Sequence, residues 1–503
     1  MEISARTRSI ARWVAVGLVM AVAAITRLWN LGHPQELVFD ETYYVKDAWT
    51  LGNLGYESRW PDGANENWAS GLVTGWTTDP SFVAHPPLGK WLIALGMAVV
   101  GPESAWGWRI TTALAGIALV ALTMVAAHLL FRSWTLTTLA GGLLAVDGMA
   151  IVMSRVALLD IQVALFGLVG FIFVLLDRRW IRRRWADWRA TTAGTVAVRD
   201  WGPVFWWRPW LLAAGVALGA ATAVKWSGVY MLAVFGLVTV ISDAVFAHRA
   251  GLDSWLRVVV RQGPLNALLL VPVAAVVHLV SWTGWFATSG GYGRDWIADG
   301  GERWTGLLAW VPDAFQNWWH YQAAVYAFHT GLASEHNYAS PAWQWLLLIR
   351  PTSMWYESGE GTAAEILDLG NPLVWWAGTA ALVAMAAAVI HRLVRRQRVA
   401  TMALVLAGVA ATYLPWFLYP ERTMFAFYAI ALEPFLVIAI GYWLLRLLRV
   451  PDATRAERIV GAVIVGAYLV TVVALSAFFW PIWTGVELPE AELRARFWFR
   501  SWI

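Results

Sequence analysis

Two adjacent carboxylates, Asp40 and Glu41, follow the first apolar stretch of a 503-residue chain in which only 14% of residues are charged. An acid pair where a loop meets a membrane supplies a general base, or a base with a partner that orients it. Partial desolvation lifts a carboxyl pKa there, and a neighbouring arginine lowers it. Basic side chains recur at other boundaries between apolar and polar sequence. His85 and Lys90 lie in His85-Pro86-Pro87-Leu88-Gly89-Lys90, Arg155 shortly precedes Asp160, Lys225 adjoins Trp226, and Arg422 follows Glu421. Several cations around one cavity suit a phosphate or pyrophosphate leaving group. Of 37 lysines and arginines only Lys46, Lys90 and Lys225 are lysines, so each of these positions stands out. Cysteine is absent, which excludes disulfides, thiolate nucleophiles and Cys-based metal sites.

Taken singly, each residue has a plainer reading. Asp40 and Glu41 fit a solvated loop; Arg155 and Asp160 fit a helix-end anchor with its counter-ion, and Asp147 fits a partner for Arg109 or Arg155. Lys225 fits a snorkelling helix-end lysine, and His85 a rigid turn before two prolines. What carries the chemical reading is that the sequence places them all on one side of a membrane.

That side follows from the apolar elements. The chain is 59% hydrophobic, against about half for soluble domains, and it contains runs of roughly twenty apolar residues, enough to cross a bilayer. Basic loops at 178–208, 248–261, 391–398 and 446–458 belong inside, with the amino end. Two long loops rich in Trp, Gly and Pro, 30–87 and 285–372, belong outside. The segment 88–101 is short for a span and carries Lys90. Reading it as a juxtamembrane helix at the outer surface keeps every basic loop on one side. The expectation is an all-α polytopic membrane protein of about eleven spans, at 10–28, 106–130, 135–152, 158–176, 210–224, 226–246, 263–284, 373–390, 400–417, 424–446 and 459–480. The first is a signal anchor after Arg6, Arg8 and Arg12. One transmembrane domain covers 1–503, with a first outer loop over 30–105, a large outer loop over 285–372 and carboxyl-terminal helices over 373–503. Gly215 and Gly219 form a GxxxG pair for close helix packing. No internal repeat is visible, and the arginines sit in short loops, so nucleic acid is not the partner.

On this topology Asp40, Glu41, His85, Lys90, Arg155, Asp160, Lys225 and Arg422 share the outer face. A base and a group of cations there suggest a lipid-linked phosphosugar donor approached sideways from the bilayer.

These strings, in this order, resemble the protein O-mannosyltransferases, in the shorter bacterial form found in actinobacteria. The matching residues are Phe39-Asp40-Glu41 with Tyr43-Tyr44 behind, His85 through Lys90, Ser154-Arg155 through Leu158-Leu159-Asp160, and Lys225-Trp226-Ser227-Gly228. An outer-loop run from Ser334-Glu335-His336-Asn337-Tyr338 to Trp343-Gln344-Trp345, followed by Arg350-Pro351, also matches. The resemblance spans essentially the whole chain. It implies a GT-C membrane glycosyltransferase that moves mannose from polyprenyl (dolichyl) phosphate mannose to Ser or Thr of a translocating polypeptide, with inversion, at the outer face of the cell membrane and in association with the secretion channel. It makes Asp40 the base, with Glu41 helping to orient the acceptor or the base. His85, Lys90, Arg155, Lys225 and Arg422 become the donor-phosphate candidates, with Asp160 orienting one of them. Eukaryotic members carry a large inserted domain for which 285–372 has no room. Tyr44, His336, Trp343 and Trp345, with Trp318 and Trp319, are the acceptor-groove candidates in its place. No obligatory cofactor is expected; Asp40, Glu41 and Asp160 are the residues that would hold a divalent ion. Two other readings stay open: a GT-C transferase acting on lipid or wall polymer, and a transporter or flippase, which would place its charges near the bilayer midplane.

Overall fold

The computed structural model describes residues 5–192, 201–252 and 255–503. Residues 193–200 of the first basic loop, 253 and 254 of the second, and 1–4 at the amino end lie outside the described residues. In chain order the helices are α1 (Ala5–Leu28), α2 (Glu41–Leu54), α3 (Ala64–Ala69), α4 (Leu88–Val100), α5 (Ala105–Phe131), α6 (Trp134–Val146), α7 (Gly148–Arg155), α8 (Asp160–Thr191), α9 (Pro209–Val224), α10 (Gly228–Arg249) and α11 (Trp255–Ser281). They continue with α12 (Thr283–Ala287), α13 (Asp313–Gly331), α14 (Ala342–Trp345), α15 (Pro372–Val394), α16 (Ala400–Thr412), α17 (Glu433–Leu448), α18 (Arg455–Thr484) and α19 (Glu490–Arg494).

Seven of these, α1, α5, α8, α10, α11, α15 and α18, are long and apolar enough to cross a membrane. Among the described residues α6 and α7 meet the same measure only as a pair bent by 59°, one broken span or a re-entrant loop. The remaining three of the eleven expected spans fall on α9, α16 and α17, which at 16, 13 and 16 residues are too short to count by the same measure, so it yields seven or eight crossings among the described residues rather than eleven.

Asp147 explains the bend. It ends α6 and caps α7, accepting from Met149 N at 3.0 Å, which satisfies one of the orphan N–H groups of a new helix. Its other acceptor sites take Asn371 N at 2.9 Å and Trp375 Nε1 at 3.2 Å. The expected pairing of Asp147 with Arg109 or Arg155 is therefore replaced by a capping role.

α8 and α9 run side by side and are pinned at both ends. Asp160 opens α8 and bonds Lys225, which follows α9; Asp177, farther along α8, bonds Arg208, which precedes α9. The second pair draws in Asp243 of α10 and Asn266 of α11 through Arg208 Nη1 at 2.6 and 2.7 Å, so one guanidinium ties four helices. Gly215 and Gly219 face α11. A Cβ at Gly219 would lie 2.6 Å from Ala274 Cα, so only glycine permits that approach.

The 285–372 stretch is built rather than loose. It holds α12, α13, α14 and a hairpin, β1 (Thr352–Ser358) with β2 (Thr362–Asp368), to which β3 (Leu488–Pro489) adds a short third strand in the order β1-β2-β3. Pairing is antiparallel, from Thr352 opposite Asp368 to Ser358 opposite Ala363, with a slip between Ser353 and Trp355. Gly361, at φ 78°, supplies the turn. This sheet supplements the expected helical architecture.

Candidate active site

The site begins with a strained turn. Phe39 sits at φ 47°, a left-handed conformation that costs a bulky residue about 1–3 kcal/mol. Its neighbours hold it there. The ring meets Phe425, Phe427 and His336 edge-on, at 5.6, 5.8 and 6.1 Å between centroids. Val38 N donates to Glu41 Oε2 at 3.0 Å from just before the turn.

Glu41 is wholly committed to this support. Its oxygens also accept from Arg109 Nε and Nη2 at 2.8 Å each and from Ala157 N at 2.7 Å. A fully buried carboxylate with four donors has no capacity left for a substrate. Of its expected roles, contact with the acceptor is excluded; Glu41 acts on the base alone, as a buttress beneath the turn, and it cannot share a metal with Asp40 and Asp160. Among the described residues no group of three or more His, Cys, Asp or Glu is arranged to hold a metal ion.

The turn leaves Asp40 free. It occupies the cap position of α2, yet its side chain makes no capping bond. Its one hydrogen bond is from Tyr44 Oη, one helical turn on, at 3.3 Å. Burial raises the Asp40 carboxyl to about 6, with Lys225 and the Tyr44 bond pulling down and Asp160 pushing up. Tyr44 is itself buried, so it positions Asp40 rather than lining an acceptor groove.

Lys225 Nζ contacts both oxygens of Asp160 at 2.9 Å and lies 4.5 Å from the centre of the Tyr428 ring. Asp160 is the first residue of α8, where the helix dipole favours its negative charge. Lys225, His85 and Arg422 line one cavity of 340 Å³, walled by Trp226, Tyr230, Tyr326, Trp416 and Tyr419. Arg422 reaches it by donating from Nε to His329 O at 3.1 Å and lying over the Trp416 and Tyr428 rings; its Nη1 has no partner among the described residues.

His329 also lines this cavity. Its Nε2 faces Ala84 O at 2.8 Å, and a carbonyl can only accept, so Nε2 carries the proton and Nδ1 points to Arg422 Nη2 at 3.5 Å. The His85 and His329 rings stack at 5.1 Å. Burial above all, helped by Lys225 and Arg422, lowers both, His329 to about 4 and His85 well below its usual value. Both rings are neutral at pH 7 and offer hydrogen bonds rather than charge. His85 Nδ1 has no partner among the described residues.

Three other expectations change. Lys90 is buried in an ion pair with Glu57, beside Asp47, whose carboxyl burial raises to about 7; α4 packs on α2 and turns Lys90 toward that pair. Arg155 donates to Trp29 O at 2.5 Å and Asn30 O at 3.2 Å. It thus satisfies carbonyls at the end of α1 and is neither Asp160's counter-ion nor an open phosphate ligand. Trp345 is fully buried with Nε1 on Ser340 O and serves as a pillar, whereas Trp343 is exposed. His336 lies against Phe39 and Phe425 at 6.1 and 4.9 Å, beside the turn that presents Asp40.

The structure therefore unites Asp40, Tyr44, His85, Asp160, Lys225 and Arg422. It adds His329, Tyr428 and the Arg109 support, which no local motif marks. The arrangement offers a carboxylate base next to a cavity lined by two cations, one of them unsaturated, and two neutral imidazoles.

Comparison with known proteins follows the same lines. Residues 76–281 match the family model described as dolichyl-phosphate-mannose-protein mannosyltransferase, and residues 314–502 the C-terminal four-span region of protein-O-mannosyltransferase. The polyprenol-phosphate-mannose–protein mannosyltransferase of Mycobacterium tuberculosis is 34% identical over 510 residues, covering 97% of this chain and 92% of that protein. The Saccharomyces cerevisiae Pmt1-Pmt2 complex bound to the sugar donor superposes with a TM-score of 0.73 at 14% identity, covering all of this chain and 93% of that one. ArnT of Cupriavidus metallidurans bound to undecaprenyl phosphate gives 0.50 at 16% identity, covering 98% and 75%. The fold is that of the GT-C membrane glycosyltransferases. With near-complete overlap at this identity and the two family regions in order along one chain, the protein belongs to the polyprenol-phosphate-mannose–protein mannosyltransferases.

Proposed function

We propose that this protein transfers mannose from polyprenyl phosphate mannose to Ser or Thr hydroxyls of secreted or translocating polypeptides, at the extracytoplasmic face of the cell membrane and near the secretion channel. Asp40 takes the hydroxyl proton as the oxygen attacks the anomeric carbon, and the bond from that carbon to the phosphate oxygen breaks on the opposite side. Polyprenyl phosphate leaves with the bonding pair, and the sugar is inverted in a single displacement. No covalent glycosyl-enzyme forms, in contrast to the two-step retaining route. Lys225 and Arg422 neutralise charge where it grows on the phosphate, and His85 and His329 contribute neutral hydrogen bonds. Glu41, Arg109 and Tyr44 hold the base in place.

The observation that carries this reading is Asp40 itself, a partly buried carboxylate that neither caps its helix nor joins an ion pair among the described residues, beside the lysine of a cation-lined cavity. The test supplies reconstituted protein with labelled polyprenyl phosphate mannose and a Ser/Thr-rich peptide. Label should appear on peptide hydroxyls with the anomeric configuration opposite to the donor's. Label confined to lipid, or retention of configuration, refutes the proposal. Reporter fusions at residues 40 and 225 should both map outside; opposite compartments would exclude a shared site.

A further inference from the structure

The most exposed large apolar residues on the polar side of the fold lie far along the chain from Asp40. Leu307 is 94% and Trp310 79% exposed, in the uncharged turn Thr305-Gly306-Leu307-Leu308-Ala309-Trp310 that leads into α13. A surface turn facing water is normally polar. Large exposed apolar groups that cluster mark a contact with something else.

The course of α13 narrows what that something is. Near its start, Phe315 meets Phe286 of α12 at 5.0 Å, and Trp318 meets His278 and Trp282, at the end of α11, at 6.1 and 6.2 Å. Near its end, Tyr326 lies 6.3 Å from Trp226, just before α10. A 19-residue helix is about 28 Å long, and this one spends that length across the ends of two spans rather than rising away from them. Gln316, Asn317, Tyr321, Gln322 and Val325 face inward and are buried. Phe315, Trp319, Ala323, Tyr326 and Thr330 form an exposed stripe at helical spacing. The last two line the cavity wall together with Val229 and Tyr230 of α10. α10 itself continues into exposed Leu237 and Ile241. The stripe is thus continuous with the apolar outer surface of a span, a surface that only lipid covers. Of the nearby charges, Arg303 and Asp313 pair with each other.

We propose that the 305–310 turn and the exposed stripe of α13 insert into the interfacial layer of the leaflet adjoining the cavity, making α13 a lipid-seated beam at the cavity's rim. Trp and Leu are the residue types that favour this depth. The inference concerns bilayer lipid as a partner and is independent of which sugar or acceptor the protein uses.

The chain has no cysteine, so a single introduced thiol can be labelled cleanly. Leu307→Cys and Trp310→Cys, each carrying a bimane label, are placed in nanodiscs made with brominated or ordinary lipids. Val463→Cys on the exposed face of α18 is the lipid control, and Glu360→Cys in the β1–β2 turn is the water control. Bromolipid should roughly halve emission at both test positions, as for a group seated about 5–10 Å into the boundary, while aqueous iodide quenches them far less than position 360. Iodide quenching without bromolipid quenching means the turn stands in water and overturns the proposal. Shielding from both quenchers overturns it in favour of a protein partner, including a second copy of this chain. Neither readout uses sugar transfer, so the outcome is separable from that of the functional proposal.

Discussion

The α8–α9 pair carries a buried acid–base couple at each end, and the two couples are treated differently. At one end Arg208 is spent completely, with Nε and Nη2 on Asp177 and Nη1 on Asp243 and Asn266. At the other, about 25 Å along the same helices, Lys225 has Asp160 as its ion-pair partner. Its surroundings include an unpaired Arg422 Nη1, an unpaired His85 Nδ1 and an Asp40 carboxylate with one long hydrogen bond. Chemically similar groups thus make a network closed around its cation at one end, where Asp243 Oδ1 alone lacks a partner among the described residues, and an open one with spare donors at the other. A buried network closed on itself can only hold helices together, whereas one with spare donors beside a cavity can receive a charged ligand. The comparison also separates Asp40 from Glu41, adjacent in sequence and opposite in use.

The largest effect should come from the open end. Asp40→Asn is expected to cut transfer by about 100- to 10,000-fold, the range for loss of a general base, with a melting temperature in detergent near that of wild type. Because only the ionised form accepts a proton, wild-type kcat/KM should fall as pH drops through about 6, the value to which burial raises Asp40. Initial rates from pH 5 to 8 check both. A rate-competent Asp40→Asn would erase the functional half of the comparison. The closed end should answer in stability instead. Arg208→Met leaves Asp177 and Asp243 buried without their counter-charge, which costs about 3–5 kcal/mol. Thermal unfolding should show the loss, and the molecules that remain folded should transfer mannose at the wild-type specific rate.

Much of this was legible beforehand, and the failures share a cause. The apolar runs, the placement of Asp40, and the convergence of His85, Asp160, Lys225 and Arg422 follow from hydropathy and charge placement. What the sequence could not supply was saturation. Glu41, Lys90, Arg155 and Trp345 are the same residue types in equally suggestive positions, and each is withdrawn from chemistry by partners distant in the chain: Arg109 and Ala157, Glu57, the end of α1, and the rings of Tyr413, Trp416 and Tyr428. Asp147 ends a helix because of Asn371 and Trp375, far along the chain. The Asp177–Arg208 tie carries no local mark, because Arg208 lies in a basic stretch whose charges signal only sidedness. His329 reaches the cavity through the backbone of Ala84, which no local pattern reveals.

Glu41→Gln tests the division within the acid pair at smaller scale. An amide can replace some of the four bonds but not the charge facing Arg109, so a loss of about 1.5–3 kcal/mol is expected, as for hydrogen bonds to charged groups. The strained Phe39 turn should loosen and lower kcat, yet the acid limb near pH 6 should persist because Asp40 still titrates. If the limb vanished while stability held, Glu41 would be the base.

The smallest effect bears on the rule itself. Asp368, at the end of β2, is fully buried and both its oxygens lack a partner among the described residues, yet it lines none of the cavity at Lys225. Burial, reinforced by Asp147 and Asp160, holds its carboxyl well above the usual 3.8. A folded-state pKa above the unfolded one means that the folded protein binds the proton more tightly. The contribution to stability is therefore full below the ordinary carboxylate range and is lost as pH rises from there toward the folded value. Asp368→Asn removes that titration, so it should raise the unfolding midpoint at pH 8 more than at pH 5 and flatten its pH dependence, with transfer kinetics unchanged. That outcome would make open bonding capacity diagnostic of function only where a cavity reaches it. A collapse in kcat with stability intact would instead extend the reaction site from Asp160 to the sheet.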